Sequence, residues 1–144
     1  MAYHSTRVVC KLCGTESTAI SPASYSYLGS PDLDTRPPET SRSALRYWLQ
    51  RCPQCGYCAP DLAQGLTLAA SIITQRQYQV QLSNRALPDL ANTLLCWSLI
   101  QERTGNYRAA AWAYLRAAWV CDDALLADAA QHTRLNAILL FNQA

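Results

Sequence analysis

The stretch RCPQCGYCAP, residues 51–60, sets three cysteines within seven positions: Cys52, Cys55 and Cys58. Upstream, CKLCG at residues 10–14 adds Cys10 and Cys13. A structural zinc ion takes four ligands in a tetrahedron, so five such thiols are one too many. Which thiol is left over decides between a structural knot and a reactive centre.

Thiolates at i and i+3 across a tight turn present two sulfurs to one ion, and a glycine after the second cysteine lets the turn close. CKLCG and CPQCG both have this form, and two such knuckles together make a zinc ribbon. The spacing predicts one zinc per chain on Cys10, Cys13, Cys52 and Cys55, with separate buried thiols as the competing reading. Cys58 is the alternative ligand, because Cys55 and Cys58 also form a CxxC pair. Against it, no glycine follows Cys58, whereas Pro53 and Gly56 give CPQCG the rigid and permissive residues of a knuckle. His4 is a further candidate, read as a solvated terminal histidine. The 38 residues between Cys13 and Cys52 exceed the commonest spacing of roughly 15–20. Loop-closure entropy grows only logarithmically with length, so a long excursion is tolerated.

The metal reading fits the rest of the composition. Of 144 residues half are hydrophobic, enough for a core, and 12 basic against 10 acidic side chains leave a charge of +2. No basic field dominates. The N-terminus has no apolar run of signal-peptide length and no segment is long enough to span a membrane, so a cytosolic protein is expected. There disulfides are disfavoured, and seven cysteines are an odd number in any case.

Two zones follow, a metal-held module over residues 1–60 and a helical one over 61–144. The first has β-prone pieces at 7–10 and 47–51. Between them a Ser- and Pro-rich stretch offers Tyr25, Tyr27, Leu28 and Leu33 as anchors. From Asp61 the texture turns to Ala, Leu, Gln and Arg with almost no Gly or Pro, which is helix composition. Four helices are expected: from 61 or 62 to 82; from near Pro88 to before Gly105; from 107 to 121; and from after Asp122 and Asp123, either of which can cap it, to 141. Short connections imply antiparallel neighbours. The fold class is α+β, mostly α.

Gly105, Tyr107, Ala110, Tyr114 and Ala117 have the spacing of the second half of a tetratricopeptide repeat, which the segment resembles. Ala110 and Ala117 would let two helices approach while Tyr107 and Tyr114 fill the groove. The preceding helix fits less well, with Leu94, Trp97, Ser98 and Gln101 at the corresponding places, and Asp122 replaces the expected final proline. One repeat cannot bury both its faces, so flanking helices or a second subunit must cover it. Trp97, Trp112 and Trp119 are expected between helices, with an aromatic ligand-binding face as the lesser reading. Cys96 and Cys121 are expected as buried small hydrophobes.

Taken whole, the chain resembles a group of uncharacterised bacterial proteins, domains of unknown function, in which a CxxC and a later CPxCGY flank a variable loop ahead of tetratricopeptide-like helices. The matching residues are Cys10, Cys13, Cys52, Pro53, Cys55, Gly56 and Tyr57. The resemblance implies a zinc-ribbon-like head and a helical body, and no activity.

Nucleotide-cradling glycine loops and the zinc-protease and serine-hydrolase motifs are absent, and His4 and His132 are the only histidines. Asp32, Asp34 and Arg36 in SPDLDTRPPE imitate an acid, a base and an anion clamp, but aspartates and prolines shape turns and an arginine beside aspartates pairs with one. The function expected is therefore a non-enzymatic, zinc-stabilised interaction module for a protein, a peptide or its own twin, off the membrane. The alternative is a nucleic-acid-binding ribbon using Arg7, Lys11, Arg42, Arg46 and Arg51 with Tyr47 and Trp48 as stacking groups. A further alternative is a thiol-redox or zinc-release sensor using Cys58.

Overall fold

The computed structural model describes residues 3–22, 29–65 and 67–144. Tyr25, Tyr27 and Leu28 lie outside the described residues.

The head consists of two antiparallel hairpins. Strands β1 (Tyr3–Val9) and β2 (Glu16–Pro22) pair in full register, with Val9 opposite Glu16. Strands β3 (Gln50–Arg51) and β4 (Cys58–Ala59) form a shorter pair, with Arg51 opposite Cys58. Each hairpin is closed by one cysteine knuckle, residues 10–15 in the first and 52–57 in the second. A 3-10 turn, Ser43–Tyr47, takes up part of the stretch read as β-prone and leads into β3.

Among the described residues five helices follow, one more than the composition predicts: α1 (Thr67–Ile73), α2 (Arg76–Leu82), α3 (Asp89–Arg103), α4 (Tyr107–Asp123) and α5 (Ala127–Gln143). The chain is mostly helical with small sheets, so the α+β, mostly α class holds. No helix among the described residues is long and apolar enough to cross a membrane.

The expected first helix is two. Residues 61–65 form a turn, and Gln75 is extended at φ −73°, ψ 147°. The break has a geometric reason. Residues 73 and 78 stand about 140° apart around one continuous α-helix, yet Ile73 and Tyr78 both enter the same core cluster. A kink at 74–75 turns both inward, and the Gln79 side-chain amide donates to the carbonyl left free on Ile73 at 2.6 Å.

The last three helices stack in layers, α4 packed on α3 on one side and on α5 on the other. Small residues set the close approach: Ala110, Ala117 and Ser98 are fully buried, and the Ser98 hydroxyl donates to the Ala110 carbonyl at 2.9 Å. Tyr114 packs into this region as expected, but Tyr107 is exposed at the start of α4 and fills no groove. The connections are alike. The N–H of Asn106 reaches the Gln101 carbonyl across Gly105, and that of Leu126 reaches the Cys121 carbonyl across Leu125. Gly105 and Leu125 take the left-handed conformation such helix ends require, φ 85° and 60°. Helix α4 therefore runs through Asp122 and Asp123, and neither caps α5, whose N-cap position is Leu126 with no side-chain cap.

The apolar core does not stop at residue 60. One cluster joins Cys10, Cys52, Tyr57, Cys58 and Leu62 to Ile72, Tyr78, Cys96 and Ile100, while a second gathers Leu45 with Leu94, Ala117, Trp119 and Cys121.

Candidate metal centre

The two knuckles are built to one plan. In the first, the N–H of Cys10 donates to the Thr15 carbonyl (2.9 Å) and that of Gly14 to the Cys10 carbonyl (2.8 Å). In the second, Cys52 donates to the Tyr57 carbonyl (2.8 Å) and Gly56 to the Cys52 carbonyl (3.0 Å). Gly14 and Gly56 sit at φ 77° and 80°, where a side chain is strained. Gly56 has a second constraint, since a Cβ there would collide with Leu82 Cδ2.

Facing each other, the knuckles bring Cys10, Cys13, Cys52 and Cys55 together, with all four sulfurs within 4.8 Å of one another. Cys10 Sγ lies 3.7 Å from Cys55 Sγ and Cys13 Sγ 3.5 Å from Cys52 Sγ. A disulfide needs about 2.05 Å, so these are four thiols, and as a set they can hold one metal ion. Cys10 and Cys52 are buried, Cys55 is partly buried and Cys13 is exposed. Burial pushes the Cys10 and Cys55 thiols up, whereas the Thr15 hydroxyl and backbone bring Cys13 down to about 6.

Cys58 is not in the set. Each knuckle spans six residues between its closing strand pairs, so Cys58 opens β4 as Glu16 opens β2. It is fully buried, its thiol 3.4 Å from the Gly56 carbonyl, beside Tyr78 and Cys96. Tyr78 is the residue that sequence reasoning missed. Its hydroxyl donates to the Gly56 carbonyl (2.7 Å) and accepts the N–H of Cys58 (3.1 Å), tying α2 to the second knuckle. Cys96 and Cys121 are buried as expected, and His4 is exposed on β1, outside the cysteine set.

Asp32, Asp34 and Arg36 form no common site. Arg36 makes a two-pronged ion pair with Asp123 (3.0 and 2.6 Å), and Asp32 pairs with Arg42 (2.8 Å). Asp34 accepts from Trp119 Nε1 (2.9 Å) and from Arg134 (2.9 Å), which also holds Asp122 (2.6 Å). The loop is thus clamped on α4 and α5 by charges, while Leu33, expected as an anchor, is fully exposed.

Burial opposes ionisation of Asp34, but the Arg134 and Trp119 hydrogen bonds outweigh it and lower its pKa. Its stabilisation is therefore complete above the unfolded carboxylate value near 4 and is lost as pH falls through the lower folded value. Asp34→Asn should cost about 1–2 kcal/mol at pH 7, the lower part of the range for charged hydrogen bonds because the pair is one-third exposed. In urea unfolding the gap between parent and variant should close as pH drops from 5 towards about 3. Any acid loss of metal affects both chains alike, so a gap constant with pH would refute the assignment.

The five basic residues near the knuckles are largely engaged. Arg7 pairs with Glu16 (3.3 Å) and Arg42 with Asp32, while Arg51 donates to Thr93 Oγ1 (3.0 Å) and to the Asp89 carbonyl (2.9 Å). Arg46 lies over the Tyr47 ring at 5.3 Å.

Compared with protein-family models, with curated proteins and with solved structures, the chain finds no match in any of the three.

Proposed function

We propose that the chain is a zinc-stabilised protein-interaction module, with a zinc-ribbon-like head and a tetratricopeptide-like helical body, organised like the bacterial proteins it resembles. Soft thiolates favour zinc, and bonds of about 2.3 Å give a tetrahedron with edges of about 3.8 Å. The sulfur pairs at 3.5 and 3.7 Å agree with that edge. Four protein ligands leave no open position for water or substrate, so the zinc is structural.

The interaction reading rests on one observation, the outer face of α5. Its inner face buries Ala130, Thr133, Ala137 and Leu140. Leu135, Ile138 and Leu139, spaced i, i+3, i+4, are 54, 55 and 60% exposed. Such a stripe is a helix-packing seam without its partner, and the partner assigned to it is a second copy of the chain, α5 against α5 about a two-fold axis. Light scattering during gel filtration should find a dimer at about 100 µM, and Ile138→Glu with Leu139→Glu should make it a monomer of unchanged helix content. A parent chain already monomeric at that concentration sinks the self-association reading.

A further inference from the structure

Away from the cysteines, one hollow lies where the segment after the 3-10 turn meets α3 and α4, and a second opens beside it on α3 and α4. Two cavities, of about 420 and 480 Å³, share Trp97 and Arg116 as walls. The first is also lined by Trp48 and Leu94, the second by Trp112 and Arg108. These volumes are in the range of small-molecule pockets, which are mostly apolar with few placed polar groups.

Arg116 is the unusual member. Its guanidinium carbon lies 4.5 Å from the centroid of the Trp48 ring and 6.0 Å from that of Trp112. No carboxylate among the described residues pairs with it, and its Nε is buried without a hydrogen-bond partner. Nor can the remaining residues supply one, since Met1, Ala2, the segment ASYSYL at 23–28 and Leu66 contain no acidic side chain. Arg36, the more deeply buried of the two, is treated differently. Its Nε is equally unpartnered, but Asp123 neutralises the charge with two hydrogen bonds.

A cation partly withdrawn from water with no counter-ion carries a cost, and stacking on tryptophan offsets only part of it. Burial alone draws the Arg116 pKa down, with no carboxylate to raise it. Because Trp48 covers a face of the guanidinium and Nε is buried, what remains for a ligand is the in-plane N–H groups of the two Nη atoms, which can bind a carboxylate or phosphate.

We propose that the second cavity, walled by Trp97, Trp112 and Arg116, binds a small planar organic anion, an aromatic or heteroaromatic ring bearing a carboxylate or phosphate. Arg116 takes the anion, and Trp97 and Trp112 take the ring. The site uses no metal ligand and no residue of the α5 outer face, so it stands or falls apart from the module reading.

Calorimetric titration of the full, metal-loaded chain tests it with indole-3-propionate and AMP as probes, each beside its neutral counterpart, indole-3-propanamide and adenosine. At least one anion should bind, at one site per chain, about tenfold or more tighter than its counterpart. Which of the two does so distinguishes carboxylate from phosphate. Arg116→Gln should erase that preference. Trp112→Leu should weaken the anion severalfold and keep the preference. The proposal is overturned if neither anion binds at millimolar concentration, if neither exceeds its neutral counterpart, or if Arg116→Gln retains the preference. Should Arg116→Gln fail to fold, the comparison of charged and neutral probes on the parent chain still decides.

Discussion

Protein purified without chelators is expected to carry one zinc ion per chain, and stripping that ion should unfold the head together with α1 and α2 while leaving α3, α4 and α5 helical. Apparent zinc-binding energies in small modules are about 10–16 kcal/mol at neutral pH, as large as the entire net stability of a typical domain, about 5–15 kcal/mol. The head has two short hairpins and little else to hold it. Its apolar cluster runs from Cys10 and Cys52 into Ile72, Ile73 and Tyr78, so α1 and α2 lose their packing when the knuckles part. The α3–α5 layers keep their own clusters, built on Leu94, Ala117, Trp119 and Leu140. Elemental analysis, far-ultraviolet circular dichroism and hydrogen exchange resolve these outcomes. Cys52→Ser should behave like the stripped protein, whereas Cys58→Ser should retain a full equivalent of zinc. Absence of bound metal, or a stripped chain with native protection in β1–β4, would falsify the structural-zinc reading.

Tyr78→Phe is expected to be among the most damaging single-atom changes in the chain. Burial raises the Tyr78 phenol above its ordinary pKa, so it stays protonated and able to donate. Removing the oxygen strands the buried Cys58 N–H and leaves the Gly56 carbonyl only the weak Cys58 thiol donor at 3.4 Å. The stranded N–H costs about 1–3 kcal/mol and the weakened carbonyl about 1 more, giving a predicted loss of about 2–4 kcal/mol, read as a lower urea midpoint at unchanged slope. Tyr107→Phe, at an exposed position, is the control and should stay within about 0.5 kcal/mol. A Tyr78→Phe midpoint equal to that of the control would show that the link between α2 and the second knuckle contributes nothing.

The cysteine set was legible because a CxxCG turn is a local device: three residues of spacing and one glycine fix where two sulfurs point, whatever the rest of the chain does. The place of Cys58 was also latent in the sequence, since CKLCGT and CPQCGY are knuckles of equal length and Cys58 falls just beyond the second. Its burial against Tyr78 and Cys96 was not, because those neighbours lie 20 and 38 residues away on helices α2 and α3. The break at residues 74–75 escaped composition, which reports that residues favour helix but not that Ile73 and Tyr78 must face one core. Asp34 was readable as a turn-former and Arg36 as the partner of a neighbouring aspartate, but their partners are Arg134 and Asp123, 100 and 87 residues distant.

The sequence by itself determined the elements governed by short-range geometry: two cysteine knuckles, a helix-rich C-terminal part, and the small residues that let α3 and α4 meet. The tertiary structure alone decided which charges are paired and which are not. Arg36 and Arg116 look alike in a list of residues. One was carried to a carboxylate and the other to a tryptophan face, because ion pairing depends on what the fold brings within a few ångströms rather than on neighbours along the chain.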